Sequence, residues 1–259
     1  MKTDPMDEDL DLMEAKILPA GETCLFVDFG EKIDMAVNGR VQSLKRRLSE
    51  RPFKGLKELA PTYRSLAIYF DPLAVDLPAL RARIAEELAQ AEEGANASGS
   101  ASATEAWVPV SFGGEFGPDL ADVAVHTGLA EDEVVRRYCD SPLYCFMNGF
   151  TPGFPYLGGM DPSLETPRLK TPRELIPANS VAIGGAQAGA YSIASPGGWR
   201  IIGRVPYELY DPGRDPAIAI QAGMWVRFYP VDLDRYREIE AQARAGAYKV
   251  EYREKEAQG

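Results

Sequence analysis

The residues best suited to chemistry in this 259-residue chain are arginines set within Gly/Pro-rich blocks. "TPRLKTPRELIPANSVAIGGAQAG" (166–189) carries Arg168 and Arg173 in a repeated Thr-Pro-Arg, with Asn179 and Gln187 downstream. "SPGGWRIIGRVP" (195–206) adds Ser195, Trp199, Arg200 and Arg204. A planar guanidinium presents a fork of N–H donors that matches a carboxylate or a phosphate. Amide and hydroxyl side chains hold carbonyl and amide groups, and backbone N–H groups at "SPGGW" suit an oxyanion or another anion. Together these blocks predict a groove for a small anionic or amide-bearing ligand, without a histidine and without a protein-bound metal. The same residues also have a purely architectural use. Glycine permits positive φ and close backbone approach, proline fixes φ, and a small barrel needs both at its corners. A third block, "GFTPGFPYLGG" (149–159), mixes turn formers with Phe150, Phe154, Tyr156 and Leu157 but holds no strong acid, base or nucleophile.

Other catalytic signatures are missing. His126 is the single histidine; it lies in a predicted helix just before Gly128 and reads as a surface or cap residue, with nothing nearby to build a Ser-His-Asp or Cys-His system. Cys24, Cys139 and Cys145 form no CxxC pair and are odd in number, which argues against a disulfide framework and a zinc site and for a reducing compartment. There is no GxxxxGK[ST] loop, and "GGAQAG" (184–189) misses the GxGxxG spacing and leads into another apparent strand. A net charge of −11 disfavours nucleic acid as a partner. No apolar run is long enough for a membrane-spanning helix, and the acidic N-terminus is not a secretory signal, so the expected location is the cytoplasm.

Positioning such a groove requires a frame, and hydrophobic periodicity outlines one. "ETCLFVDFG" (22–30) and "RSLAIYFDP" (64–72) read as strands. Helical spacing links Ile33, Val37, Val41, Leu44 and Leu48, and again Leu77, Leu80, Ile84 and Leu88. The expected order is β-α-β-α with a further strand, a compact α/β domain over 15–93 behind an acidic tail over 1–14. "AEEGANASGSASATEA" (91–106) reads as a flexible connection, with the linker placed at 94–106. Beyond it come a strand "WVPVSF", two short helices, and short apolar runs punctuated by Gly and Pro: "LYCFMN", "SVAIG", "AYSIA", "WRIIG", "PYELY" and "MWVRFYP". That rhythm predicts a barrel or sandwich over 107–232, followed by a helical extension over 233–259. The fold class is therefore α+β.

In their order along the chain these blocks resemble the family of allophanate hydrolase subunit 1 and the Kip inhibitor, which includes the B component of bacterial 5-oxoprolinase. The resemblance spans about residues 15–232 and rests on "GFTPGFPYLGGMDPSLETPRLKTPRELIPANSVAIGG", "SPGGWRIIGR" and "YDP", with "GETCLFVDFGEKIDMAVNGRVQSLKRRL", "APTYRSLAIYFDP" and "PVSFGGEFGPDLADVA" before them. It implies an N-terminal α/β domain followed by a cyclophilin-like β-barrel. It implies a partner of the allophanate hydrolase subunit 2 (KipA-like) type, a further LamB/YcsF-type protein in the oxoprolinase system, and ATP with Mg used by the complex to open 5-oxoproline to glutamate. Carried onto this sequence, it implies a groove in which Arg173, Gln187 and Arg204 act on the substrate carbonyl. Pro152, Phe154, Ser195, Gly197, Gly198 and Trp199 line that groove, and Phe150, Phe154 and Tyr156 pin the turn beside it. The chain departs from the family pattern at Tyr138 (histidine expected), Ala188 and Val205 (threonine expected) and Asn148 (apolar expected). Two other readings stay open on sequence: a carboxyltransferase subunit of a biotin-dependent urea carboxylase, and a regulatory protein that inhibits a kinase.

Overall fold

A computed structural model describes residues 15–97 and 104–255. The chain divides at Gly99/Ser100 into two compact units. The acidic tail and part of the expected linker lie outside the described residues.

The first unit runs β1 (Lys16–Pro19), β2 (Cys24–Asp28), α1 (Met35–Glu50), β3 (Leu56–Pro61), β4 (Ser65–Phe70) and α2 (Leu77–Ala97). Its antiparallel sheet has the order β1-β2-β4-β3. Helix α1 starts where the Asp34 carboxylate accepts the Val37 N–H at 2.7 Å, capping a free donor of the first turn. Val41, Leu44 and Leu48 are then fully buried on one stripe against Leu66, Ile68 and Ile84. Ile33 precedes the helix and is exposed, so the stripe begins at Val37. Helix α2 continues to Ala97, into the expected linker, where Ala95 and Ala97 favour helix and Gly94 and Asn96 do not.

The second unit runs β5 (Thr104–Phe112), α3 (Leu120–Thr127), α4 (Glu131–Asp140), β6 (Leu143–Asn148), β7 (Pro155–Gly158), a 3-10 turn at Pro162–Leu164, β8 (Arg173–Ile176), β9 (Ser180–Gly184), β10 (Gln187–Tyr191), β11 (Ser195–Gly197), β12 (Arg200–Arg204), β13 (Trp225–Pro230), α5 (Leu233–Arg244) and β14 (Glu251–Glu254). Strands β12-β9-β10-β7-β6-β13-β5 form a sheet that closes on itself where Gly203 and Arg204 pair with Phe112 and Ser111. The result is a seven-stranded barrel, in an α+β chain, with β13 parallel to β5 and β14 added to the free edge of β5. Inward residues such as Val108, Val110, Val181, Ile183, Ile202 and Phe228 fill it, and α3 and α4 add Val123, Val134 and Tyr138 to the same core.

Several elements differ from the sequence expectation. "PYELY" is not a strand: Leu209 donates its N–H to Asn179 Oδ1 at 3.0 Å, which leaves one bridge, Tyr210 to Ile218. Strand β10 starts at Gln187 rather than Ala190, because Gly185 (φ 70°) turns the chain tightly after β9. The β8–β11 ribbon was not foreseen, its strands being only four and three residues long. The C-terminal extension is a helix followed by a strand. There the Tyr252 hydroxyl donates to Ala219 O at 2.9 Å and the Arg253 guanidinium lies 3.4 Å over the Trp107 ring.

Candidate functional site

The Gly/Pro block at 149–159 folds into a tight turn and then strand β7. Gly153 sits at φ 77° and Phe150, a non-glycine residue, at φ 64°, where a side chain is strained. Phe154 is buried, with Tyr156, Tyr191 and Trp199 around it edge-to-face at 4.9, 5.2 and 5.4 Å. This geometry suits the ring quadrupoles and makes the wall rigid. Phe150, expected as packing, is instead 60% exposed and touches only the edge of the cluster. The adjoining glycines exist to admit these rings. A Cβ at Gly184 would stand 2.4 Å from the Trp199 indole, and one at Gly197 would stand 2.1 Å from the Tyr191 hydroxyl. At Gly198 the nearest atom would be 3.7 Å away, so packing makes no such demand there. Ser195 is buried and its hydroxyl donates weakly to Ile193 O at 3.4 Å. The exposed Pro152 accepts from the Ser192 hydroxyl at 2.5 Å.

The four arginines of the blocks have different surroundings. Arg173 donates from Nη1 and Nη2 to the two Asp119 carboxylate oxygens at 2.8 and 2.7 Å. Asp119 is 3% exposed and also accepts the Ile201 N–H at 2.7 Å. This carboxylate therefore ties the start of α3 to β8 and β12, and its bond holds the Arg173 guanidinium above its ordinary pKa. Arg200 reaches Asp122 at 2.9 Å, and Arg168 lies over the Trp199 ring at 5.4 Å. Sequence reasoning missed Asp119; its signal was an acid directly before an apolar helix, which reads as a cap, whereas this side chain makes no capping bond. Gln187 opens β10 opposite Gly184, half-buried at the hairpin end.

Arg204, at the end of β12, stands apart from Arg173. It lines a cavity of about 770 Å³ together with Asn179, Tyr207, Tyr236, Tyr248 and Arg214, a volume in the range of small-ligand sites. Its guanidinium lies 5.2 Å over the Phe116 ring, which itself stacks on Tyr236 at 4.4 Å. The structure thus brings Phe154, Gly197 and Trp199 into one wall, leaves the Ser195 hydroxyl on the Ile193 carbonyl, engages Arg173 in an ion pair, and puts Arg204 on a cavity. His126 is exposed on α3. Among the described residues no helix is long and apolar enough to cross a membrane.

A family model of the carboxyltransferase domain, subdomains C and D, matches residues 15–220. The chain belongs to this carboxyltransferase-domain family. Curated members named as the B component of 5-oxoprolinase resemble it closely: that of Bacillus subtilis is 36% identical over 84% of this chain and 95% of its own length. That of Escherichia coli O157:H7 is 37% identical over 85% of this chain and 97% of its own. Among solved structures, TTHA0988 superposes with a TM-score of 0.69 at 30% identity, covering 81% of this chain and 40% of that one. The urea carboxylase of Kluyveromyces lactis shares the fold, with a TM-score of 0.67 at 18% identity over 92% of this chain and 24% of that one. Of the four positions where the resemblance implied a different residue, three are core positions in this carboxyltransferase-domain chain. Tyr138, Ala188 and Val205 are all buried in the barrel interior. Tyr138 packs on Phe228 at 5.5 Å. The fourth, Asn148, holds the 220–222 loop, donating to Ile220 O at 2.9 Å and accepting from Ala222 N at 3.0 Å.

Proposed function

We propose that this chain is a subunit of an ATP-dependent 5-oxoprolinase, opening the cyclic amide of 5-oxoproline to glutamate together with a partner of the allophanate hydrolase subunit 2 type and a LamB/YcsF-type protein. The observation that carries this reading is the near-complete overlap with two curated 5-oxoprolinase B components, at 36% and 37% identity over 95% and 97% of their lengths. The geometry is in keeping with a site completed by other subunits. The rigid aromatic wall, with Arg168 over Trp199, suits the face of a small ring, the Arg173 fork is held by Asp119, and the lone histidine is exposed on α3.

Lactam opening needs the carbonyl activated, and ATP bound by the complex would supply a phosphoryl group for that purpose. The Gly-rich 184–189 segment is the tight turn of the β9–β10 hairpin rather than a strand-to-helix phosphate loop. ATP and Mg enter this reading at the level of the complex. The shared fold with urea carboxylase favours one alternative, a biotin-dependent carboxyltransferase subunit, and biotin enters only there. The test is co-expression with the two partner types. A complex that elutes as one species and forms glutamate from 5-oxoproline only with ATP supports the proposal. A complete complex that leaves 5-oxoproline untouched refutes it.

A further inference from the structure

We propose that the cavity beside Arg204 binds a small carboxylate, gripped by the Arg204 guanidinium and the Tyr207 hydroxyl. Arg204 Nε and Tyr207 Oη are buried and have no hydrogen-bond partner among the described residues, and both residues line the cavity. Native structures leave few buried polar groups unsatisfied, and two of those here belong to residues that line this one cavity. Both groups are donors. A guanidinium has no acceptor atom. Tyr207 is 4% exposed, and burial pushes its phenol well above the ordinary value, so the hydroxyl keeps its proton. The matching group is an acceptor and, beside a fixed cation, an anion.

The other charges on the wall are engaged or turned to solvent. Glu208 accepts from Asn179 Nδ2 at 3.2 Å, Glu240 pairs with Arg244 at 3.1 Å, and Asp211 accepts the Gly213 N–H at 2.8 Å. Arg214 donates to the carbonyls of Glu208, Leu209, Pro216 and Ala217. Asp215 and Lys249 are exposed. Among the described residues, Arg204 is therefore the half-buried cation of this wall left for a ligand, held in one orientation over Phe116. One guanidinium and one phenol match the two oxygens of a carboxylate, and the tyrosine faces suit the body of an amino-acid-sized molecule. Tyr236, Tyr248 and Tyr252 complete the wall from beyond residue 220, outside the span that the family model matches.

That the carboxylate is 5-oxoproline or glutamate rests on the proposed function; the cavity argument does not. Calorimetric titration of the full-length chain uses 5-oxoproline, L-glutamate and 2-pyrrolidinone, the same lactam without a carboxylate. We expect saturable binding of at least one carboxylate and none of 2-pyrrolidinone. Arg204→Met should weaken binding by about tenfold to a hundredfold, as a lost charged hydrogen bond does, and Tyr207→Phe by about threefold to tenfold. Tyr207→Phe should also leave the melting temperature of the ligand-free protein unchanged or raised, because the hydroxyl it removes has no partner. Arg204→Lys, which keeps the cation without the fork, separates lost binding from lost folding. The proposal is overturned if neither carboxylate binds, if 2-pyrrolidinone binds as well as they do, or if folded Arg204 and Tyr207 variants bind like the unchanged chain. Carboxylate binding in a chain whose assembled complex makes no glutamate would sink the oxoprolinase reading and leave this site standing.

Discussion

Removing the carboxylate of Asp119 tests whether Arg173 is a structural peg or a free substrate fork. Asp119→Ala deletes three hydrogen bonds at 2.7–2.8 Å, two from Arg173 and one from the Ile201 N–H. The Ile201 N–H is left buried without an acceptor, at a cost of about 1–3 kcal/mol. The guanidinium side chain is 33% exposed, so water reclaims much of its charge and adds little more. The expected loss is about 2–4 kcal/mol. Arg173→Met keeps the aliphatic stem but strands a buried carboxylate on a single N–H bond. Its expected loss is about 2–3 kcal/mol, below the value for a fully buried broken pair. Because both changes break the same contact, the double variant should lose less than the sum, with a coupling of at least about 1 kcal/mol. Urea unfolding at unchanged m-value measures all three. If Arg173 stands free for a substrate anion, Arg173→Met shifts the midpoint by less than about 0.5 kcal/mol and the coupling vanishes, and the structural assignment is wrong.

Two further substitutions probe the wall and the core. Gly184→Ala places a methyl 2.4 Å from the rigid Trp199 ring and should destabilise by about 1–3 kcal/mol with altered tryptophan emission; an unperturbed emission spectrum and melting temperature would show that the wall is looser than described. Tyr138→Phe removes a buried hydroxyl that has no partner and should leave stability unchanged or raise it by about 1 kcal/mol; a loss of that size instead would reveal a polar role for the position.

Much of the frame was readable because it rests on strong periodicity. Val41, Leu44 and Leu48 announced α1, and "SVAIG" and "MWVRFYP" announced β9 and β13, since each buries a continuous apolar stripe. Short strands were harder. β8 and β11 are ordered by pairing with each other, a non-local effect that leaves no periodic trace, and "PYELY" had the composition of a strand while Asn179 diverted its hydrogen bonds. At the candidate site the residue types were legible but their grouping was not. Arg173 and Arg204 read alike in sequence, yet a distant acid, Asp119, captures one while Phe116 and the C-terminal helix frame the other. The cavity draws on Tyr236 and Tyr248, which sequence reasoning left in an exposed extension.

The most direct test is an omission assay on the assembled complex, following glutamate release from 5-oxoproline and, in parallel, biotin-dependent carboxylation of urea. ATP-dependent glutamate release should be present in the complete complex and disappear when this chain is left out. Turnover that persists without the chain, or urea carboxylation with 5-oxoproline untouched, would contradict it.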